Sequence, residues 1–121
     1  MPAVKNTGIK RVYMATYYSL KGLKAAFISE AAIRQQLCLF ALLVPIALIA
    51  NVSLIEKILL IAMLVLVLAM ELINTAIEAV VDRISDEHHA LSEKAKDTAS
   101  AGVFLTILLA IGVWLAIFIG Q

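Results

Sequence analysis

Beyond Asp97 this chain carries no charged residue: every position from Thr98 to Gln121 is apolar or neutral. A second apolar run, Ile58 to Val81, is broken by charge only at Glu71 and Glu78, and as a helix it would extend roughly 36 Å at 1.5 Å per residue. A third, Leu37 to Ala50, is uncharged and lengthens backward through Ala31-Ala32-Ile33. A hydrocarbon core of ~30 Å is crossed by about 20 helical residues, so the runs predict transmembrane helices over residues 31–50, 58–81 and 98–120. A membrane barrel would need alternating hydrophobicity and more segments than these. The fold class expected is therefore an all-α membrane protein.

Composition excludes the soluble alternative. Of 121 residues, 63% are hydrophobic and 16% charged, with a mean hydropathy of +0.99. A soluble domain of this size would bury only about 60–70% of its unfolded-chain surface, too little to hide so many apolar side chains. One membrane domain, residues 1–121, is the organisation expected. A net charge of +1 offers no case for nucleic acid as a partner, and Cys38, the single cysteine, excludes an intrachain disulfide.

The placement of the ten basic residues predicts orientation. Lys5, Lys10, Arg11, Lys21, Lys24 and Arg34 precede the first span, Lys57 stands alone after it, and Arg83, Lys94 and Lys96 lie between the second and third. Basic loops stay in the cytoplasm, so the N-terminus and second loop are expected inside. The Asn51-Val52-Ser53 turn and the C-terminus are expected outside. The N-terminal region does not read as a cleavable signal, because charge recurs as far as Arg34. Pro45 falls inside the first span, where a membrane helix can tolerate it.

Residues 8–27 predict a different helix. At 100° per residue Ile9, Val12, Tyr13, Leu20, Leu23 and Phe27 gather on one side, and Lys10, Arg11, Tyr18 and Lys21 on the other. A basic amphipathic helix of this kind lies in the membrane interface against anionic headgroups. It serves either as an anchor or as a wall beside a site that receives lipid laterally.

The second span holds the residues that demand explanation. Glu71, Asn74, Glu78 and Asp82 fall on one helical stripe, and an acid at mid-bilayer costs about 2.5–3.5 kcal/mol even on insertion scales. A polar seam can join helices, but several acids call for a cationic partner. Lys or Arg would serve, as would a divalent metal, whose preferred ligands are carboxylate oxygens. Glu30 at the start of the first span and Lys96, Asp97 and Ser100 at the start of the third lie at the same side of the membrane. Glu30 and Arg34 could instead form an ordinary i, i+4 pair, and Asp97 could cap the third span or enter the cluster. A three-helix protomer leaves much helix surface uncovered, so a homo-oligomer with sites at protomer boundaries is expected. Ala99, Ala101 and Gly102 would permit close helix approach.

No nucleotide-binding loop, zinc-protease motif, CxxC pair or nucleophile elbow is present. His88 and His89 are adjacent, which is a weak arrangement for joint metal ligation. Three classes of function follow: a lipid-modifying enzyme, a proton- or cation-conducting subunit, or a scaffold whose polar face only specifies assembly. A conduit would carry polar residues to the outer side, yet Ile58 to Met70 is uninterrupted apolar sequence. That favours a one-sided site.

The stretch from Glu71 through Asn74, Glu78, Asp82 and Arg83, followed by Ala95-Lys96-Asp97, closely resembles the small bacterial integral-membrane diacylglycerol kinase family. Tyr18-Ser-Leu-Lys-Gly22 and Glu30-Ala-Ala-Ile-Arg34-Gln35 extend the resemblance over nearly the whole chain. It implies ATP-dependent phosphorylation of diacylglycerol to phosphatidic acid in the bacterial inner membrane, by a homotrimer with shared sites. It further implies Glu71 as general base, Glu30 and Glu78 as ligands of the Mg²⁺ that accompanies ATP, and Asn74 and Lys96 in catalytic positions. Arg11, Tyr18, Glu87, His88, His89, Lys96 and Asp97 would line the nucleotide, together with Glu30 and Glu78. Arg11, Ala15, Ser19, Glu71, Ser100 and Trp114 would meet the lipid, and Asp82, Arg34 and Gln35 would support the site. Ile33 and Gln36 stand where the family often has Phe and Glu, and Leu20 where it has Trp. A related branch acts on undecaprenol, which is the alternative substrate. The stripe suits such chemistry, since phosphoryl transfer rests on positioning, charge neutralisation and a group that receives the nucleophile's proton.

Overall fold

A computed structural model describes residues 7–121; Lys5, one of the six basic residues before the first span, lies outside them. Four helices follow in order: α1 (Gly8–Ser29), α2 (Ala31–Ile49), α3 (Leu54–Ile84) and α4 (Ala90–Ile119). No strand occurs among the described residues. The last three helices are long and apolar enough to cross a membrane.

α3 and α4 begin before their apolar segments because local capping extends them. α3 begins four residues before Ile58, on a capping box in which Ser53 Oγ accepts from Glu56 N–H at 3.1 Å and Glu56 Oε1 accepts from Ser53 N–H at 2.9 Å. α4 begins eight residues before Thr98. His89 caps it, with Nδ1 accepting from Leu91 N–H at 3.0 Å, and Leu91 to Lys96 are mostly good helix formers. Asp97 therefore stands inside α4 rather than at its cap. α2 runs unbroken through Pro45. At the turn joining α2 to α3, Lys57 Nζ donates to Leu48 O at 2.6 Å and so occupies one of the carbonyls left over at the end of α2.

α3 is the centre of the bundle, packed chiefly against α4 and next against α2. Its buried residues Leu60, Leu64 and Val67 are spaced four and three apart, the spacing that keeps one seam facing a neighbouring helix. Val103 and Ala110 of α4 and Ile33 and Ala47 of α2 are buried as well. Gly102 faces α3, where a Cβ would sit 3.0 Å from Met70 Cε. Near the turn end Trp114 Nε1 donates to Leu60 O at 3.1 Å and ties α4 to α3. Most other apolar side chains are exposed, Leu105 at 64% and Ile119 at 76% for example, as suits helices bathed in hydrocarbon.

α1 lies against the others only lightly: Ala26 alone is buried, while Ile9, Tyr13 and Leu20 are exposed. Its ordered length reaches Ser29, two residues past the amphipathic pattern.

Candidate functional site

The seam of α3 changes chemistry without changing geometry. Continuing the spacing of Leu60, Leu64 and Val67 gives Glu71, Asn74 and Glu78, each half-buried, and then Val81, buried again. Three positions that would ordinarily hold apolar knobs thus carry two carboxyls and a carboxamide. Asn74 Nδ2 donates to Glu78 Oε1 at 2.8 Å. Asn74 Oδ1 is buried without a hydrogen-bond partner, an acceptor suited to a hydroxyl or water proton.

Two further elements complete the cluster. Glu30 is the single residue between α1 and α2, and it and Glu78 are the charged groups whose fields reach the Glu71 carboxyl. On α4 the half-buried Lys96 faces α3, with its Nζ 2.6 Å from Asp82 Oδ1 and the charge of Glu78 acting on it as well. Glu30, Glu71, Asn74, Glu78, Asp82 and Lys96 therefore lie toward one end of the bundle. Among the described residues no group of three or more His, Cys, Asp or Glu side chains is close enough to cage a metal ion. Mg²⁺ does not require one, since it is usually held by one or two carboxylates together with phosphate oxygens and water.

Beside this cluster lies a polar cavity of about 340 Å³, lined by Asp82, Glu87, His88, His89, Lys96 and Asp97 among others. Every residue expected at the nucleotide from the α3–α4 connection and the start of α4 lines it. Ser85, Asp86, Ser92 and Glu93 also line it, although the sequence reading did not single them out. The charge run after Asp82 was the available signal. His88 Nε2 lies 3.6 Å from Glu93 Oε2, an ion pair only when the imidazole is protonated.

Other expected residues lie elsewhere. Arg11, Ala15 and Ser19 share a groove formed by α1 alone, and Tyr18 is half-buried beside Tyr17, ring centroids 5.6 Å apart. Ser19 also borders a groove of about 600 Å³ between α1 and α3, lined by small residues including Gly22, Ala26, Thr75 and Ala76. Ser100 and Gln35 are exposed. Trp114 sits at the level of Leu60, eleven residues or about 16 Å along α3 from Glu71. Arg34 makes no ion pair with Glu30. Its Nη1 instead donates to Phe27 O at 2.8 Å and Ile28 O at 3.0 Å. The i, i+4 pairing expected for these two residues is therefore absent, because the carbonyls left over at the end of α1 compete for the guanidinium.

On the opposite side of Glu71 the seam is apolar to its end, and Thr106, the polar residue of α4 at that depth, bonds its own helix at Gly102 O and Val103 O. The geometry describes a site entered from one end of the bundle rather than a path through it.

The sequence matches the family model for prokaryotic diacylglycerol kinase over residues 17–118. A diacylglycerol kinase of Pseudomonas aeruginosa is 46% identical over 119 residues, 98% of this chain and 97% of that protein. One from Escherichia coli K12 is 47% identical over 112 residues, 93% of this chain and 92% of its own. A more distant relative of the same name, from Helicobacter pylori, is 38% identical over 110 residues, 91% and 86% of the two chains.

Proposed function

The chain belongs to the prokaryotic diacylglycerol kinase family, and from that membership we propose that it transfers the γ-phosphoryl group of ATP to the primary hydroxyl of diacylglycerol, giving phosphatidic acid and ADP. The observation that carries this reading is the seam of α3. A family match could accompany a degenerate site, but here the acids and the lysine that the chemistry needs converge at one end of the bundle.

The step balances on these residues. The lipid oxygen bonds to the γ-phosphorus, the bond from that phosphorus to the bridging oxygen breaks, and ADP departs with the electron pair. Glu71 receives the hydroxyl proton; it lies deepest of the acids, on the side from which a lipid hydroxyl approaches. Asn74 braces Glu78 through Nδ2 and keeps Oδ1 free to orient the hydroxyl. Lys96, steadied by Asp82, offsets charge on the transferred group, and the polar cavity with Glu87, His88, His89 and Asp97 accommodates the nucleotide. Glu30 and Glu78 would hold Mg²⁺, a hard cation suited to carboxylate oxygens, and the ion would supply neutralisation of phosphate charge. Arg11, Ala15, Ser19, Ser100 and Trp114 are assigned to the lipid, and Tyr18, with Arg11 again, to the nucleotide.

The setting follows from the same reading. The chain is an integral membrane protein, the charged end of the bundle faces the cytoplasm of a bacterial inner membrane, and the Ala50–Ser53 turn faces outward. Three copies form a homotrimer in which neighbouring protomers complete each site. The test is a mixed-micelle assay with ATP, Mg²⁺ and either diacylglycerol or undecaprenol. Phosphate is expected in the former, and incorporation into neither lipid would sink the proposal.

A further inference from the structure

The joint between α1 and α2 interrupts a helix where the sequence contains no helix breaker. Phe27-Ile28-Ser29-Glu30-Ala31-Ala32 has neither Gly nor Pro, and Ala and Glu are among the stronger helix formers. Even so, Glu30 is extended, at φ −118° and ψ 116°. In an uninterrupted helix the Ala31 N–H would donate to Phe27 O and the Ala32 N–H to Ile28 O. Both carbonyls are instead occupied by one atom, Arg34 Nη1, at 2.8 and 3.0 Å. That nitrogen carries two protons, one for each acceptor. The guanidinium thus holds the acceptors that closing the break would require.

The electrostatics run the same way. At the C-terminal end of α1 the Arg34 guanidinium meets the negative pole of that helix, which favours a cation. Ile33, 1% exposed, anchors the first turn of α2 in the bundle, so the state of the joint decides where α1 and Glu30 lie.

We infer that Arg34 is a positioning residue for Glu30: by occupying Phe27 O and Ile28 O it keeps the α1–α2 joint broken and holds Glu30 at the end of the bundle where Glu71 lies. This rests on the proposed kinase reading for its consequence, but not for its geometry. With the guanidinium removed, the two carbonyls are free to accept from Ala31 and Ala32, and α1 and α2 move toward one continuous helix.

The experiment measures the joint directly. Spin labels at Lys21→Cys and at the native Cys38, both exposed, are placed on one chain diluted among unlabelled copies. Their separation is compared with and without Arg34→Gln. A continuous helix would place these two positions about 26 Å apart along its axis, and the Arg34→Gln distribution is expected to shift toward that value. Ala31→Pro provides the rescue. Proline removes the N–H that competes for Phe27 O, is favoured at the first helical position, and drives the preceding residue to the extended region that Glu30 already occupies. The double variant is expected to recover the parental distance, which also keeps the test sound should Arg34→Gln alone assemble poorly. In activity, Arg34→Gln should raise the half-activating Mg²⁺ concentration about tenfold, with no further rise when added to Glu30→Gln. An unchanged distance in Arg34→Gln, failure of Ala31→Pro to restore it, or a full additional rise on top of Glu30→Gln would each overturn the assignment. Absence of phosphoryl transfer by the unaltered chain would overturn the kinase reading alone, because the distances do not depend on turnover.

Discussion

The two ends of the α3 seam occupy equivalent positions on one helix and serve opposite purposes. Toward the turn, Leu60, Leu64 and Val67 are 0%, 5% and 4% exposed, packed against neighbours, with Leu60 O bonded to Trp114. Toward the charged end, the same spacing delivers Glu71, Asn74 and Glu78, all half-buried, with Asn74 Oδ1 left without a partner. A helix in lipid gains little from burying one apolar side chain against another beyond close packing, and it loses a good deal by carrying acids. The comparison teaches that stability is concentrated at one end of the seam, and that the other end accepts a cost that chemistry requires.

The sharpest way to break the comparison is Glu71→Gln. The amide is nearly isosteric but cannot take up the hydroxyl proton at neutral pH. Turnover with diacylglycerol should fall by about 10²–10⁴, the usual contribution of a general base, while helical circular dichroism and the assembled oligomer stay as they were. Turnover close to the parent's would remove Glu71 as the base.

The converse substitution is Leu60→Ala. Leu60 is fully enclosed, so truncation should lower stability by about 2–5 kcal/mol through lost contacts and a residual cavity. Thermal denaturation in detergent micelles measures this. At a temperature where the variant is folded, kcat should match the parent's, and a loss of kcat without a loss of stability would show that the turn end contributes to chemistry.

How much of this was legible beforehand follows the same division. Acids inside an apolar run stand out because their insertion is costly, so Glu71, Asn74 and Glu78 were readable as one face, and the helix count followed from run length. Hydropathy does not register the charged opening turns of α4, which is why a span was expected from Thr98 although the helix begins at Ala90. The partners of Arg34 and Trp114 were not readable, because each is a backbone carbonyl. Any residue supplies one, and only the path of the chain decides which is left without its helical donor. The spacing of Glu30 and Arg34 pointed to an ion pair, but the helix is interrupted at Glu30 and the guanidinium bonds the carbonyls of Phe27 and Ile28 instead.

A smaller effect tests whether the turn end owes its order to local capping. Ser53→Ala removes one half of the capping box that starts α3 and should cost about 1 kcal/mol, read from the same denaturation curves, with activity unchanged. A loss of activity out of proportion to stability would mean that the turn communicates with the charged end.

The smallest expected change in stability belongs to the shortest ion pair. Asp82 and Lys96 are 2.6 Å apart, yet their side chains are 63% and 42% exposed, and pairs so accessible to water contribute roughly 0–1 kcal/mol. Asp82→Asn should therefore leave the denaturation midpoint almost unmoved. Its consequence lies in where Lys96 points: without the carboxylate, the ammonium loses the contact that holds it at the mouth of the polar cavity. The KM for ATP should rise while kcat changes less, and raising salt in the parent should shift KM in the same direction, because exposed charges are screened. A stability loss of about 2 kcal/mol or more would place this pair outside the usual range for exposed ion pairs. The charged end of the seam would then be holding the bundle together as well as serving the reaction.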